Sequence, residues 1–573
     1  MTVAQSFEDV LHESAAAHDL PHLSGGGGGG GLIMSDASII NNNNNNNNNN
    51  HNNNNNNNIN TINVNINEAD VGQIERKLTE IQQFYDRASV FITGGTGFLG
   101  KTLIYKLLTS CPGLENIFLL IRSKRGKDIF SRVEEIFEDA MFNKMKQACP
   151  KYDHKIRAIS GDCMLPSLGI SSSDREMLVE NVNIVFHLAA TVRFDEKMKT
   201  AMQINVKACR DILDLCYEMK QLKSIIYVST AYTQCPQKVV EERFYEAPID
   251  SNKMISLTDC VSDTMMEEIT PILLDKWPNT YTFTKAIAED VVRQNSRGMP
   301  IGMFRPGIVI ATYQEPVPGW IDNFYGPTGV IAGAGTGVLR TLRADPKKVA
   351  NMVPVDLCVN GIISAAWDIA ERFRTEIMPD PEIPVYNFCT EKSNCITWGD
   401  FCYTTIKFGS MYPTLKSIWY LCYQSHPNKI MHYLAILFLH YAPAIFFDVI
   451  ALFIGRKPRL MRTYKKIHRF MDVIEYFSMR QWDFRMGNIN GLWRRLSRAD
   501  QKEFFFDMRQ INWDFFLEHY FRGIRQYLLK DPLETVPEAL IRWNRLYWLH
   551  QATKVIVLLL VYKLVCSIWG FLS

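Results

Sequence analysis

Between Asp70 and about residue 375 the chain runs in two alternating rhythms of apolar and polar positions. Short unbroken apolar runs read as buried strands at 90–93, 117–121, Ile156–Ser160, 184–188 and 224–229. Stretches with helical spacing precede and separate them, at 71–85, 101–108, 130–147 and 198–217. Strands without in–out alternation, each followed by a helix, predict an α/β fold: a Rossmann-type doubly wound parallel sheet with helices on both faces. Past about residue 375 this rhythm fades. Residues 398–420 and much of 467–545 keep helical spacing with many aromatics, so a mainly α-helical C-terminal domain is expected.

Two longer apolar runs change the picture. Residues 434–454 carry only His440 and Asp448 as chargeable groups, plus Pro443, and are long enough to cross a bilayer. A proline and an aspartate near the middle are costly in lipid, so a buried helix or a wall of a hydrophobic channel is the alternative. A basic cluster follows: Arg456, Lys457, Arg459, Arg462, Lys465 and Lys466. Residues 555–573 form the second run, broken by Lys563, whose stem can snorkel. It is expected to cross the membrane or to lie in its interface. The opposite end of the chain is unlike either. A glycine run at 25–31 and an asparagine tract at 41–60 cannot bury enough apolar surface to offset ordering entropy, so 1–67 is expected to be disordered and without a catalytic role.

Composition narrows the function classes. A chain of 573 residues, 47% hydrophobic, can bury a large core and hold more than one folded unit. A net charge of +2 argues against a broad nucleic-acid surface. The 13 cysteines include no C-x-x-C pair and no zinc spacing, which fits free thiols in a reducing compartment and no metal site. The first residues carry Glu8, Asp9 and Glu13 rather than a signal peptide, so the catalytic part is placed on the cytosolic side.

Candidate chemistry begins where the first strand breaks into Thr93-Gly94-Gly95-Thr96-Gly97-Phe98-Leu99-Gly100. Strand, glycine turn and helix follow in the order a dinucleotide fold needs. Gly94 allows the tight turn, Gly97 lets the backbone approach a pyrophosphate, and Gly100 lets helix and strand pack closely. The N–H groups that open the helix then face the phosphates. After the second strand, where NAD-binding folds carry an acid, stands Arg122-Ser-Lys124-Arg125. Cations there suit a 2′-phosphate, so the expected cofactor is NADPH. Asp162, after the third strand, is a candidate for the adenine; Ala189 and Ala190, after the fourth, are small enough for the cofactor to come close.

Tyr281 and Lys285 stand four residues apart, on one face of a helix. A neighbouring ammonium is expected to lower the phenol's pKa and fit it for proton transfer at a carbonyl oxygen. The fifth strand ends in Ser229 and Thr230, where ligands bind in this architecture. Thr230 is the first choice for the hydroxyl that holds the substrate carbonyl, and Ser229 the second. Asn205 is expected to steady a water or a backbone carbonyl near Lys285.

Together these motifs resemble the extended short-chain dehydrogenase/reductases. Leu119–Arg125, Phe186–Phe194, Tyr227–Tyr232, Phe304–Val309, Pro318–Asn323 and Met352–Asp356 are similar to one branch, the alcohol-forming fatty acyl-CoA reductases. Residues 464–527 resemble that family's helical domain of the male-sterility type. The resemblance implies NADPH-dependent reduction of a long-chain acyl-CoA to a primary alcohol through an aldehyde, with Lys285 also on the nicotinamide ribose. It implies an intracellular membrane, endoplasmic reticulum or peroxisome, as partner; no Ser-Lys-Leu ending selects between them. The expected organisation is a reductase domain at 85–375, a connecting region with an apolar helix at 376–455, a helical domain at 456–545 and a membrane segment at 555–573. Thr230 and Tyr281 lie 51 positions apart, so 234–279 reads as an insertion that shapes the acyl or CoA site. A sterol or nucleotide-sugar dehydrogenase would use the same Tyr281 and Lys285, but without 318–342 and the helical domain. A membrane-bound dinucleotide-binding scaffold would not need Thr230, Tyr281 and Lys285 together.

Overall fold

Seven parallel strands form the centre of the molecule, in a computed structural model that describes residues 77–123, 126–296, 298–375 and 382–572. They are β1 (Ser89–Thr93), β2 (Asn116–Ile121), β3 (Ile156–Ser160), β4 (Ile184–His187), β5 (Ser224–Val228), β6 (Ile301–Pro306) and β7 (Val385–Phe388). Their spatial order is β3-β2-β1-β4-β5-β6-β7. Val90 pairs with Ile117 on one side and Ile184 on the other, so the strand order reverses at β1. The sheet is buried on both faces, which is why its strands are apolar without alternation.

The helices that matter for the site are α1 (Phe98–Ser110), α2 (Met198–Met202, a π turn at Gln203–Lys207, then Ala208–Glu218), α3 (Thr280–Asn295) and α4 (Val355–Thr375). One face of the sheet packs Phe91, Val185, Ile225 and Met303 against α2 and α3. The other packs Ile92, Phe186, Ile226 and Phe304 against α1, α4 and, beyond them, Leu492, Phe516 and Tyr520. The C-terminal helices thus share a core with the sheet, and the described residues from Leu78 onward make one compact unit.

Several elements depart from expectation. The helix expected over 130–147 breaks at Asp139: Ile129–Glu138 ends there, a short 3-10 turn follows, and a helix resumes at Asn143–Ala148. Asp139 is extended because its carboxylate serves Met141 N–H, the Lys101 ammonium and the Trp320 indole. The helix starting at Trp398 stops at Met411 rather than 420, since Pro413 cannot continue it. The sheet also outlasts the point where alternation fades, gaining β7 after residue 375. Of the helix expected at 71–85, Glu80–Tyr85 is helical and 71–76 lie outside the described residues, as does the glycine- and asparagine-rich region 1–67.

Among the described residues, two helices are long and apolar enough to cross a membrane. One is α5 (Lys429–Phe453), joined by a short turn to α6 (Leu460–Ser478). The other lies in α7 (Val536–Leu572), which begins nineteen residues before the apolar run itself. Its first half docks on the body through Arg542 to Ser417 O and through Trp543 and Tyr547 against Tyr420.

The most buried ion pair holds the sheet to α3. Arg305 of β6 is fully buried and grips Glu289 of α3 with two hydrogen bonds of 2.8 and 2.6 Å. The same guanidinium donates to the carbonyls of Glu241 and Arg243, tying down the start of the 234–279 segment. Removing one partner strands the other's charge in the core. Glu289→Ala is expected to cost about 3–5 kcal/mol of stability, read as a lower denaturant midpoint of unfolding; an unchanged midpoint would contradict the pair's role.

Candidate active site

The strand-order reversal leaves a crevice beyond the carboxyl ends of β1 and β4, the usual ligand position in open α/β sheets. Gly94 turns the chain there with φ +77°, and a side chain on it would strike the backbone of Ala189 at 2.8 Å. Ala189 N–H donates to Thr93 Oγ1 at 3.2 Å, and the same hydroxyl bonds His187 Nδ1 at 2.7 Å. One threonine thus fixes the spacing between the ends of β1 and β4. Burial, with the Lys285 charge adding to it, pushes His187 down to about 3, so the ring stays neutral.

Gly100 lies within α1, where a Cβ would sit 2.3 Å from Gly94 O, so only glycine lets helix and turn close together. Gly97 caps α1 without any side-chain bond, leaving the first N–H groups of the helix to a ligand. Gly95 and Thr96 complete the turn, and Phe98 and Leu99 begin the helix. A cradle that admits no Cβ, lined by backbone N–H groups, fits a dinucleotide pyrophosphate. A nicotinamide dinucleotide is the cofactor of this fold.

At the end of β2, Arg122 lies 3.8 Å from the carboxylate of Asp162, which follows β3. Asp162 also accepts Met164 N–H. The residue expected at the 2′-phosphate and the one expected at the adenine therefore meet at one corner. Arg132, from the helix after β2, donates to Arg122 O, and its own pKa is lowered by burial and by the Arg122 charge. Nothing in the spacing of the sequence marks Arg132. Lys124 and Arg125 lie outside the described residues. Ala190 follows Ala189 on the β4 side of the crevice.

The candidate catalytic groups converge where β5 ends against α3. Asn279 caps α3 by accepting Thr282 N–H, and Thr280 bonds the carbonyls of Phe194 and Glu196. Tyr281 is thereby held at the mouth of the crevice, its ring 5.8 Å from that of Phe194 and still partly exposed. Thr230 stands beside that phenol; its own hydroxyl donates to Pro306 O at 3.5 Å and accepts Tyr232 N–H at 3.3 Å. Lys285, one turn further, is 2% exposed; its ammonium donates to Val228 O at 2.8 Å and to Tyr227 Oη at 3.3 Å.

Three expectations change here. Tyr281 is not an acidic phenol: burial pushes its pKa up to about 12, against a smaller opposing pull from the neighbouring Thr230. Lys285 is itself brought down to about 8 by burial, and its ammonium serves strand β5 rather than the phenol. Ser229 points away, donating to Glu289 at 2.6 Å beside Arg305, which leaves Thr230 as the hydroxyl that stands beside Tyr281. Asn205, in the π turn of α2, accepts Thr191 N–H at 2.9 Å and donates to the backbone carbonyl of Thr191 at 3.3 Å and to Thr284 Oγ1 at 3.0 Å, joining the loop after β4 to the residue beside Lys285.

An aromatic wall that sequence spacing does not foretell continues from Tyr281. Phe194 packs on Phe477 at the end of α6, and Phe477 on Tyr232 and Trp482. The C-terminal helices so contribute apolar surface directly beside the tyrosine.

Comparison with known proteins agrees with this geometry. An NAD-binding family model described as male sterility protein matches residues 92–362, and a second model of that description matches 439–531. Fatty acyl-CoA reductase wat of Drosophila melanogaster is 44% identical over 474 residues, covering 82% of this chain and 90% of that protein. Human fatty acyl-CoA reductase 1 is 36% identical over 487 residues, covering 85% and 93%. Among solved structures, the terminal R domain of the myxalamid PKS-NRPS biosynthetic pathway is similar in fold, with a TM-score of 0.52 at 16% identity over 78% of this chain and 93% of that one. With near end-to-end similarity of this kind, the chain belongs to the fatty acyl-CoA reductase family.

Proposed function

We propose that this chain reduces a long-chain fatty acyl-CoA to the primary alcohol, using two NADPH and passing through the aldehyde. The observation that carries the reading is the placing of Tyr281 beside Thr230 at the mouth of the dinucleotide crevice, next to an aromatic wall. Bound NADPH supplies the hydride for each reduction. The chain's own residues handle the oxygen. Tyr281 and Thr230 stabilise the oxyanion that forms as the carbonyl carbon becomes tetrahedral. Tyr281, neutral at physiological pH, donates its proton to that oxygen. Lys285 holds β5 and α3 together and so keeps Tyr281 aimed at the crevice. Collapse of the hemithioacetal returns that proton to Tyr281 and expels the CoA thiolate, which gives the aldehyde; the same hydroxyls then serve its reduction, after which Tyr281 regains a proton from solvent.

Arg122 and Arg132 would pair with the 2′-phosphate, Arg122 exchanging its weak contact with Asp162 for it. The thioester arm would run past Phe194 and Phe477. No cysteine nucleophile is called for, and burial raises the pKa of the core thiols Cys111, Cys209, Cys216, Cys358 and Cys389. A reductase domain at 85–375 facing the cytosol, with the helical remainder on an intracellular membrane, suits a substrate and product that partition into lipid. The exposed apolar helices α5 and α7 support the membrane part of this reading.

Three outcomes are expected. Tyr281→Phe abolishes alcohol formation from acyl-CoA and NADPH while NADPH binding is kept; retained turnover would overturn the assignment of the phenol. Arg122→Ala weakens NADPH far more than NADH, by roughly tenfold or more for a lost charge-assisted contact; equal loss for both cofactors would refute the 2′-phosphate contact. The rate also has a basic limb. Lys285 has its pKa depressed in the folded chain and loses its charge as pH rises through about 8. kcat/KM for NADPH, which reports the free enzyme, is therefore expected to fall above that pH; a profile flat well beyond it would remove the ammonium from the mechanism.

A further inference from the structure

Helix α5 is apolar on the outside and polar on the inside. His432, Ile436, His440, Ala444 and Asp448 recur every fourth residue and are buried against the body. In a straight α-helix such a row drifts around the axis; the wider π turn at Leu437–Tyr441 brings it back toward one face. The polar members of the row are all bonded. Thr341 Oγ1 meets His432 Nδ1 at 3.3 Å, Arg340 N–H donates to His440 Nε2 at 3.0 Å, and His440 Nδ1 meets His468 Nε2 of α6 at 3.2 Å. The Asp448 carboxylate accepts the N–H groups of Arg459, Leu460 and Met461, each at 2.9 Å, and so caps α6. The opposite face exposes Ile430, Leu437, Phe438, Phe446, Leu452 and Phe453.

This pattern is incompatible with a spanning helix. Crossing the bilayer would strip the bonds to Thr341, Arg340 and His468 and leave two histidines and an aspartate in hydrocarbon. Helix α6 also returns along α5 to the body, where Tyr464 bonds Val338 O at 3.0 Å and Ser478 bonds Arg343 O at 2.8 Å. Both ends of the α5–α6 hairpin are thus tied to the same side, with residues 454–459 at its tip.

Two further features say what covers the outer face. The tip and the start of α6 expose Arg456, Lys457, Arg459, Arg462 and Lys465, a fringe that complements anionic headgroups. The second feature is α7, which from Val555 to Trp569 is exposed on all sides and largely apolar, with Lys563 its one charged residue, the character of a helix solvated by lipid. The two helices leave one corner of the body. The Arg340 guanidinium donates to Leu439 O of α5 and stacks on Trp419 at 5.3 Å, and the Trp419 indole donates to His550 of α7. A membrane that receives α7 at this corner lies against α5 as well.

We propose that α5 lies in the plane of one leaflet, its outer face among the acyl chains and its basic tip on anionic headgroups, as a second membrane attachment distinct from α7. The proposal rests on the membrane part of the function given above. It also gives the arrangement a use. Helix α6 begins at this attachment and ends at Phe477, in the aromatic wall beside Tyr281, so the reductase crevice is linked to the leaflet surface by one rigid element.

Full-length chain reconstituted in phosphatidylcholine vesicles, with and without phosphatidylserine, and photolabelled from lipids carrying a diazirine either near the glycerol or at the chain end, tests this. Labelled peptides are identified by mass spectrometry. The expected result is labelling along the whole of α5 by the shallow probe, and labelling of the middle of the α7 apolar run by the deep one. Phe446→Glu with Phe447→Glu, both exposed, should remove α5 labelling at least severalfold and leave that of α7. Arg456→Glu with Lys457→Glu should lower α5 labelling only where phosphatidylserine is present. Deep labelling centred on the middle of α5 would mean that it spans, and would overturn the proposal. So would labelled α7 with unlabelled α5, the pattern expected if a protein or a second copy covers that face. Absence of label from both helices would remove the membrane reading itself.

Discussion

The Lys285 ammonium is buried between β5 and α3, where it donates to the carbonyl of Val228 and the hydroxyl of Tyr227. A charge in that position is costly unless it is bonded, so strand end and helix must keep their distance and register. Everything the site can do follows from this constraint. Thr230 follows β5, two residues after Val228, and Tyr281 stands one turn before Lys285, so fixing the ammonium holds these two side chains next to each other. The expectation that the ammonium acidifies the phenol gives way to a different division of labour. Burial leaves Tyr281 protonated, a donor ready for an oxyanion, and the lysine acts first as the clamp that aims it.

Neighbouring bonds make the same geometry harder to lose. The Glu289–Arg305 pair takes the Ser229 hydroxyl to the far side and leaves Thr230 facing the crevice. Asn205 joins the loop after β4 to Thr284, beside Lys285, through a π turn that offers its side chain to both at once. Thr93 ties β1 to β4 under the glycine turn. The phosphate cradle, the hydroxyl pair and the aromatic wall are therefore parts of one packed structure, and the wall comes from helices far along the chain. A reductase that handles acyl chains needs that continuity, because its apolar substrate must be shielded from water while its carbonyl meets polar groups.

Much of this was legible in the chain before folding. Strands buried on both faces show as unbroken apolar runs, and the glycine turn, Arg122, Thr230, Tyr281 and Lys285 fall at positions that topology alone makes meaningful. What escaped the reading depends on tertiary packing. β7 lies beyond a long helix and is only four residues in length. Ser229 and Thr230 are adjacent and chemically alike; only the distant Arg305–Glu289 pair tells them apart. The i, i+4 spacing of Tyr281 and Lys285 places them on one face but says nothing of how deeply each is buried, so the direction of the phenol's shift could not be read from it. Arg132 joins Arg122 because a helix folds back over β2. Residues 434–454 fit a span and a buried helix equally well in the sequence, because composition cannot show which face carries the histidines and the aspartate.

A structure of the chain with a bound oxidised dinucleotide and a non-hydrolysable acyl-CoA thioether ketone tests the central claim most directly. The account predicts the ketone oxygen within hydrogen-bond reach of both Tyr281 Oη and Thr230 Oγ1, with the carbonyl carbon facing the nicotinamide and Lys285 still on Val228 O. A carbonyl oxygen held by other groups, with the Tyr281 hydroxyl turned away from the nicotinamide, would contradict it.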